Sequence, residues 1–237
     1  MAMKGYLAMT AAEFLGAPAL PGNPAWMACH FSCYGTGLSN LPQQLPQDAM
    51  IILNDRTPIH GHDPSVITDQ LLQLYETHHI WGFLLDFQRP DNKETERLCQ
   101  ILLKMLPCPV GISHHYASSL DCPVFLPPPP LHKPLAEHIF PWKGREIWLE
   151  AAMQAQTMTV TSEGCHIQSS PADTLDAPNF FDAKVFSSYH MDLSEDRAVF
   201  SLLRGETELK ELLAGAQELG ISLAIGLYQQ LGPNFFS

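Results

Sequence analysis

The chain has 237 residues, with 13 Lys+Arg against 25 Asp+Glu and a formal net charge of −12. Hydrophobic residues make up 46% and charged residues 16%, enough apolar content to fill a large core and to exclude disorder for the bulk of the chain. The acidic balance argues against a phosphate-tracking nucleic-acid binder, and no apolar run approaches the roughly 20 residues that cross a bilayer.

Met1-Ala2-Met3-Lys4 followed by Gly5–Ala12, with small residues at Ala17-Pro18-Ala19, has the outline of a signal peptide. Glu13 interrupts the apolar stretch and a single Lys is a weak basic region, so a cytoplasmic location is expected. The six cysteines (Cys29, Cys33, Cys99, Cys108, Cys122, Cys165) include no CxxC pair. Cys29 and Cys33 lie about 13 Å apart if the stretch is extended, too far to bridge. Reduced, mostly buried thiols are expected.

Short apolar segments alternate with helical patterns, the signature of parallel βα units. Gly5–Met9 reads as a first strand, and Thr10 with Glu13 fits a capping box opening a short helix. Ala25–Ser32 is a second strand and Ala49–Asn54 a third. Asp63-Pro64 opens a helix with an N-cap and a proline at the first position, and Val66, Ile67, Leu71, Leu74 and Tyr75 recur at helical spacing. Trp81–Gln88 is a fourth strand, apolar almost throughout, as befits a strand covered on both faces.

Asp91-Asn-Lys-Glu94 reads as a second capping box, with Leu98, Ile101, Leu102 and Met105 as the buried stripe of its helix. Pro109–His115, Pro123–Leu126 and Glu146–Met153 are the fifth, sixth and seventh strands. Pro127–Pro130 ends the sixth, since prolines supply no ladder donors, and leaves a stiff loop suited to a ligand or partner contact. Gln156–Gln168 and Val185–Leu203, with turns at Ser162–Gly164 and Ser194–Asp196, read as antiparallel strands. Glu206–Leu219 is an amphipathic helix stopped by Gly220, and Ile221–Tyr228 is the eighth strand. The expected fold is a single compact (β/α)8 TIM-like barrel over residues 1–237, with a β-rich insertion at 155–204 between strands seven and eight.

In such a barrel the functional groups stand at the carboxyl ends of the strands. Those ends offer Glu13, His30, Ser32, Asn54-Asp55-Arg56, Asp86, Gln88, His114-His115-Tyr116, Glu150, Gln154 and Tyr228-Gln229-Gln230. A polar rim bearing carboxylates suits sugars, which present many hydroxyls. Glu13 reads equally as a helix cap, and Asp55 with Arg56 as a local ion pair.

Trp81-Gly82-Phe83-Leu84-Leu85-Asp86-Phe87-Gln88 resembles the fourth-strand motif of chitinase-type (family 18) glycoside hydrolases, Asp-Gly-x-Asp-x-Asp-x-Glu. Gly82 and Asp86 match it. Trp81 and Leu84 replace two acids, and Gln88 stands where the catalytic glutamate belongs. The order of elements along the chain resembles the family as well, including the β-rich insertion before the last helix and strand. The family's tryptophan on the last strand and tyrosine on the sixth have no counterparts.

The resemblance implies that a glutamate at position 88 would protonate the glycosidic oxygen while Asp86 orients the substrate's acetamido group. Gln88 has no titratable proton to give, although its amide hydrogen-bonds sugars well. The leading expectation is therefore a carbohydrate binder with weak or lost hydrolysis. Asp86 and Glu150 are its central acids, and Asn54, Gln88, Tyr116 and Tyr228 its ligand-binding residues.

Three other readings stay open. Asp86 and Glu150, on strands four and seven, form the acid pair of an active glycoside hydrolase if they lie about 5–9.5 Å apart. His30, His60, His62, Asp63, His114 and His115 offer ligands for a metal-dependent hydrolase. The fourth reading is a non-catalytic interaction protein. No cofactor is expected, since no phosphate-cradling glycine loop appears, and a nucleophile elbow is likewise missing.

Overall fold

The computed structural model describes residues 3–170, 175 and 178–236. Seven barrel strands come first: β1 (Lys4–Met9), β2 (Pro24–Phe31) with a short antiparallel partner β3 (Leu38–Ser39), β4 (Met50–Asn54), β5 (Gly82–Asp86), β6 (Val110–Ser113), β7 (Val124–Leu126) and β8 (Ile147–Ala151). A separate antiparallel sheet follows, made of β9 (Gln154–Thr161), β10 (Gly164–Ser169), β11 (Phe180–Asp182), β12 (Ser187–Leu193) and β13 (Arg197–Arg204), in the order β10-β9-β13-β12-β11. The last barrel strand, β14 (Leu223–Leu227), pairs in parallel with both β8 and β1, and β1 pairs with β2. The eight parallel strands thus close into a (β/α)8 TIM barrel, with the antiparallel sheet inserted between the seventh and eighth. Residues 171–174 and 176–177 of the expected insertion, the first two residues of the amino-terminal stretch, and Ser237 lie outside the described residues.

The core has two layers, as strand alternation requires. Tyr6, Ala8, Ala25, Met50, Ile52, Leu84, Phe125, Trp148, Leu223 and Ile225 fill the barrel. Opposite-parity residues, such as Ile51, Leu53, Phe83, Leu85, Ile112 and Leu149, pack outward against Ile67, Leu71, Leu98, Leu102, Leu209 and Leu212 of the helices. Trp148 fits inside because Gly111 faces it, where a Cβ would come within 2.2 Å of the indole ring.

The helices begin largely where their caps predict. Thr10 and Glu13 form the capping box of α1 (Ala11–Gly16), with the Glu13 amide donating to Thr10 Oγ1 at 3.2 Å and the Thr10 amide to Glu13 Oε2 at 2.7 Å. Asp63 caps α2 (Pro64–His78) through the Ser65 amide at 2.9 Å. For α3 (Lys93–Met105) the cap is Asn92 rather than Asp91. Asn92 Oδ1 accepts from the amides of Glu94 and Thr95, while Asp91 takes a left-handed backbone (φ 59°) one residue earlier. Met105 ends that helix exposed rather than buried, because the stripe runs out at its last turn.

The fifth expected strand stops at Ser113, where the short helix α4 (His114–Ala117) begins. After α5 (Leu135–Ile139), the next long helix is α6 (Glu206–Glu218), and α7 (Tyr228–Leu231) follows β14. Gly220, just past α6, has φ 87°, the left-handed conformation that makes glycine a good stop there. Leu219 lies past the helix end and is exposed.

The second sheet is tied to the barrel by Arg204, which is wholly buried. Its guanidinium donates to the carbonyls of Val185 (2.8 Å), Phe186 (3.0 Å) and Pro129 (2.7 Å), and to Gln154 Oε1 (2.8 Å). Burial pushes its pKa down to about 10, with the charge of Glu208 acting the other way. This hub anchors the proline loop after β7 to the base of the insertion.

Candidate functional site

At the carboxyl end of the strands the barrel opens into a cleft of about 540 Å³, within the range of small-ligand sites. Its floor is apolar: Ala8, Met27, Ile52, Leu84, Phe125 and Ile225. Its polar lining comes from several strand ends: Thr10 after β1, His30 on β2, Asn40 after β3, Asn54 and Arg56 at and after β4, Asp86 on β5 and Glu150 on β8. Register explains the arrangement. His30 pairs with Asn54 and Asn54 with Asp86, so the three stand in one row above the Ile52–Leu84 level. Glu150 pairs with Ile225 and shares the inward parity of Trp148.

A bulge in β2 between Trp26 and Cys29 prepares the neighbouring polar contact. Bulged residues leave the regular ladder, and Asn54 Nδ2 donates to the Met27 carbonyl at 2.9 Å. Asn54 Oδ1 also accepts from the Arg56 amide at 3.1 Å. Both ends of the Asn54 amide group are therefore held.

Asp86 and Glu150, expected on separate strands, are brought to the same cleft. Burial raises the pKa of Asp86. A hydrogen bond from Gln88 and the charge of His115 oppose that rise, while Asp55 adds to it. Burial, and then the charge of Asp86, push Glu150 up to about 7. The two carboxyls thus sense one another across a poorly solvated space. Gln88 Nε2 donates to Asp86 Oδ1, so the side chain in the motif's last position is spent on holding the aspartate.

Asp55, expected beside Arg56 as an ion pair, is instead buried, with Oδ1 accepting from the Gln88 amide at 3.1 Å and Oδ2 from the Arg89 amide at 2.8 Å. It fixes the chain just after β5, and with it the position of Gln88. Its only sequence signal was a carboxylate directly following a strand end.

Tyr116 and Tyr228 are not brought to the cleft. Because the chain turns into α4 after Ser113, Tyr116 is buried, its hydroxyl donating to the Arg89 carbonyl and accepting from the Asn92 amide at 3.4 Å. Ile225 and Leu227 take the inward positions on β14, which leaves Tyr228 off the inward alternation as the first residue of α7. Glu13 is engaged as the helix cap, and Phe125 holds the sixth-strand position in the cleft floor.

Of the histidines, His30 alone lines the cleft among the described residues. His62 Nε2 meets the Ser32 carbonyl at 3.0 Å while its Nδ1 accepts from the His60 amide at 3.0 Å, which latches one loop to another. Among the described residues, no three His, Cys, Asp or Glu side chains are grouped to hold a metal ion. None of the six cysteines forms a disulfide. Cys29, Cys99 and Cys122 are buried, and Cys33 and Cys165 are exposed. Among the described residues, no helix is long and apolar enough to cross a membrane.

No family model matches the sequence, and no curated protein matches it. Solved structures do match. A glycoside hydrolase family 18 N-acetylglucosaminidase from Paenibacillus barengoltzii superposes with a TM-score of 0.59 at 8% identity, covering 94% of each chain. The spore cortex-lytic enzyme SleL of Bacillus cereus gives 0.57 at 10% identity, over 99% of this chain and 72% of its own. A family 18 chitinase from Cycas revoluta, in complex with (GlcNAc)4, gives 0.56 at 10% identity over 94% of each chain. At such identities the likeness is one of backbone architecture: this chain has the fold of the chitinase-type, family 18 glycoside hydrolase barrels.

Proposed function

We propose that the barrel mouth binds a carbohydrate and that hydrolysis is weak or lost. The observation that carries this reading is the hydrogen bond from the Gln88 amide to the Asp86 carboxylate. An amide has no proton to pass to a glycosidic oxygen, whereas a carboxyl at that position would. The apolar floor supports the reading, since the C–H face of a sugar ring packs on aliphatic and aromatic side chains such as Ile52 and Phe125. So does the row of His30, Asn54 and Asp86, a mixed set of donors and acceptors for hydroxyls. The Cycas revoluta chitinase, whose fold this chain shares, is in complex with (GlcNAc)4, which supports a sugar as the ligand class. The protein is read as a cytoplasmic, single-domain pseudoenzyme.

A second reading rests on a different observation. Glu150, raised to about 7 and coupled to Asp86, has the protonation behaviour of a general acid beside a second carboxyl. On this second reading the protein is an active glycoside hydrolase with Asp86 and Glu150 as its acid pair.

One set of measurements separates the two. Thermal unfolding is followed with a panel of neutral and amino-sugar oligomers, alongside aryl-glycoside hydrolysis. The binder predicts stabilisation by a sugar, through mass action, with no release of the aryl group. Hydrolysis that disappears in both Asp86→Asn and Glu150→Gln establishes the second reading. Neither stabilisation nor hydrolysis with any sugar overturns both.

A further inference from the structure

The cleft gathers more carboxyl groups than permanently charged cations, with Arg56 the one arginine or lysine in its lining among the described residues. Asp86 and Glu150 line it, and Asp55 stands close enough behind Asp86 for its charge to be felt there. Asp55 is neutralised by no cation, because both its oxygens accept from backbone amides. The charge of His115 on α4 is felt at Asp86, and His30 and Arg56 stand on the cleft wall. Among the described residues, however, the one ion pair within 4.0 Å joins Lys210 to Glu206 on α6. The guanidinium of Arg56 therefore sits on no carboxylate. His30 is held by the Ala28 carbonyl, which lies 2.9 Å from Nδ1.

Two carboxyls facing one space above an apolar floor repel each other, and each loses part of its hydration. A ligand that carries its own positive charge relieves both costs at once, through hydrogen bonds with charge on both sides. The described residues group no set of three donors for a metal ion, whereas the floor of Ile52, Leu84, Phe125 and Ile225 suits an organic ring. Resting on the sugar-binding reading above, we propose that the cleft selects carbohydrates bearing a free amino group, whose ammonium sits between Asp86 and Glu150. A phosphorylated or carboxylated sugar is disfavoured by the same field.

The test is calorimetric titration of the intact chain near pH 7 with three tetramers: β-1,4-linked glucosamine, its fully N-acetylated form and cellotetraose. The free-amine tetramer is expected to bind about tenfold tighter than either neutral one, the scale of one charge-assisted contact. The preference should shrink several-fold when salt rises from about 0.01 to 0.3 M, as screening dictates. Glu150→Gln and Asp86→Asn should each reduce it, with thermal melts showing that both variants fold. Equal or tighter binding of the acetylated tetramer overturns the inference and leaves sugar binding standing. No binding of any tetramer overturns the sugar-binding reading itself.

Discussion

Replacing Glu150 by Gln should stabilise the protein at alkaline pH and leave it nearly unchanged in acid. Burial and the Asp86 charge move the Glu150 carboxyl from its ordinary 4.5 to about 7 in the folded chain. A carboxyl whose pKa rises on folding binds more protons folded than unfolded between those values. Stability therefore falls as pH rises through that window, and the full cost is present above pH 7. After allowance for water at the open mouth, that cost is about 2–3 kcal/mol. Glutamine has the same shape and never ionises, so it removes the cost above pH 7. Below pH 4.5 the native glutamate is already protonated and the two chains should match.

Urea unfolding at pH 5 and pH 8 reads the difference directly. The gain at pH 8 corresponds to about 5–10 °C in Tm for a chain of this size. Asp86→Asn removes the second cause of the shift and should lower the pH at which the fall in stability is complete, while the fall still begins near the unfolded carboxyl's 4.5. A Glu150→Gln variant equal to wild type at pH 8, or equally stabilised at both pH values, would refute the claim that the two carboxyls are buried together.

Three further outcomes follow from the packing and the site. Gly111→Ala places a Cβ within 2.2 Å of the Trp148 ring and should cost about 1–3 kcal/mol of unfolding free energy as an overpacked core, read from urea melts. Arg204→Leu strips the donor from three carbonyls and Gln154. It should loosen the second sheet, costing about 3 kcal/mol or more, with limited proteolysis cutting first between residues 154 and 204. Gln88→Glu puts a carboxyl against Asp86, where the like charge raises its pKa toward the range of a general acid. Hydrolysis of an N-acetylglucosamine tetramer should rise well above wild type, and an unchanged rate would show that Asp86 does not present a substrate to position 88.

Most of the barrel was legible because its strands are short apolar runs closed by polar residues, and Gly82–Asp86 and Leu223–Leu227 are found within a residue or two of their expected places. The inward acids were legible for the same reason. Once Leu84 and Trp148 point into the barrel, alternation carries Asp86 and Glu150 with them.

What escaped were features set by local backbone irregularity. The β2 bulge inserts one extra residue, the left-handed Asp91 delays the cap to Asn92, and the turn into α4 after Ser113 ends the strand alternation. Adjacent Asp91 and Asn92 are equally good caps by residue type, so composition could not choose between them. Tyr116 was lost to the cleft by the turn, and Tyr228 by the parity of Ile225 and Leu227. The short strands Leu38–Ser39 and Phe180–Asp182 carry too few residues to show a period.

Crystals grown over days with a saturating oligosaccharide and solved with the sugar in place put the account at its greatest risk. It predicts an uncut chain lying in the barrel mouth, one ring against Ile52 and Phe125 and a polar group bonded to Asp86. A sugar bound elsewhere, or a mouth holding only water, would contradict it.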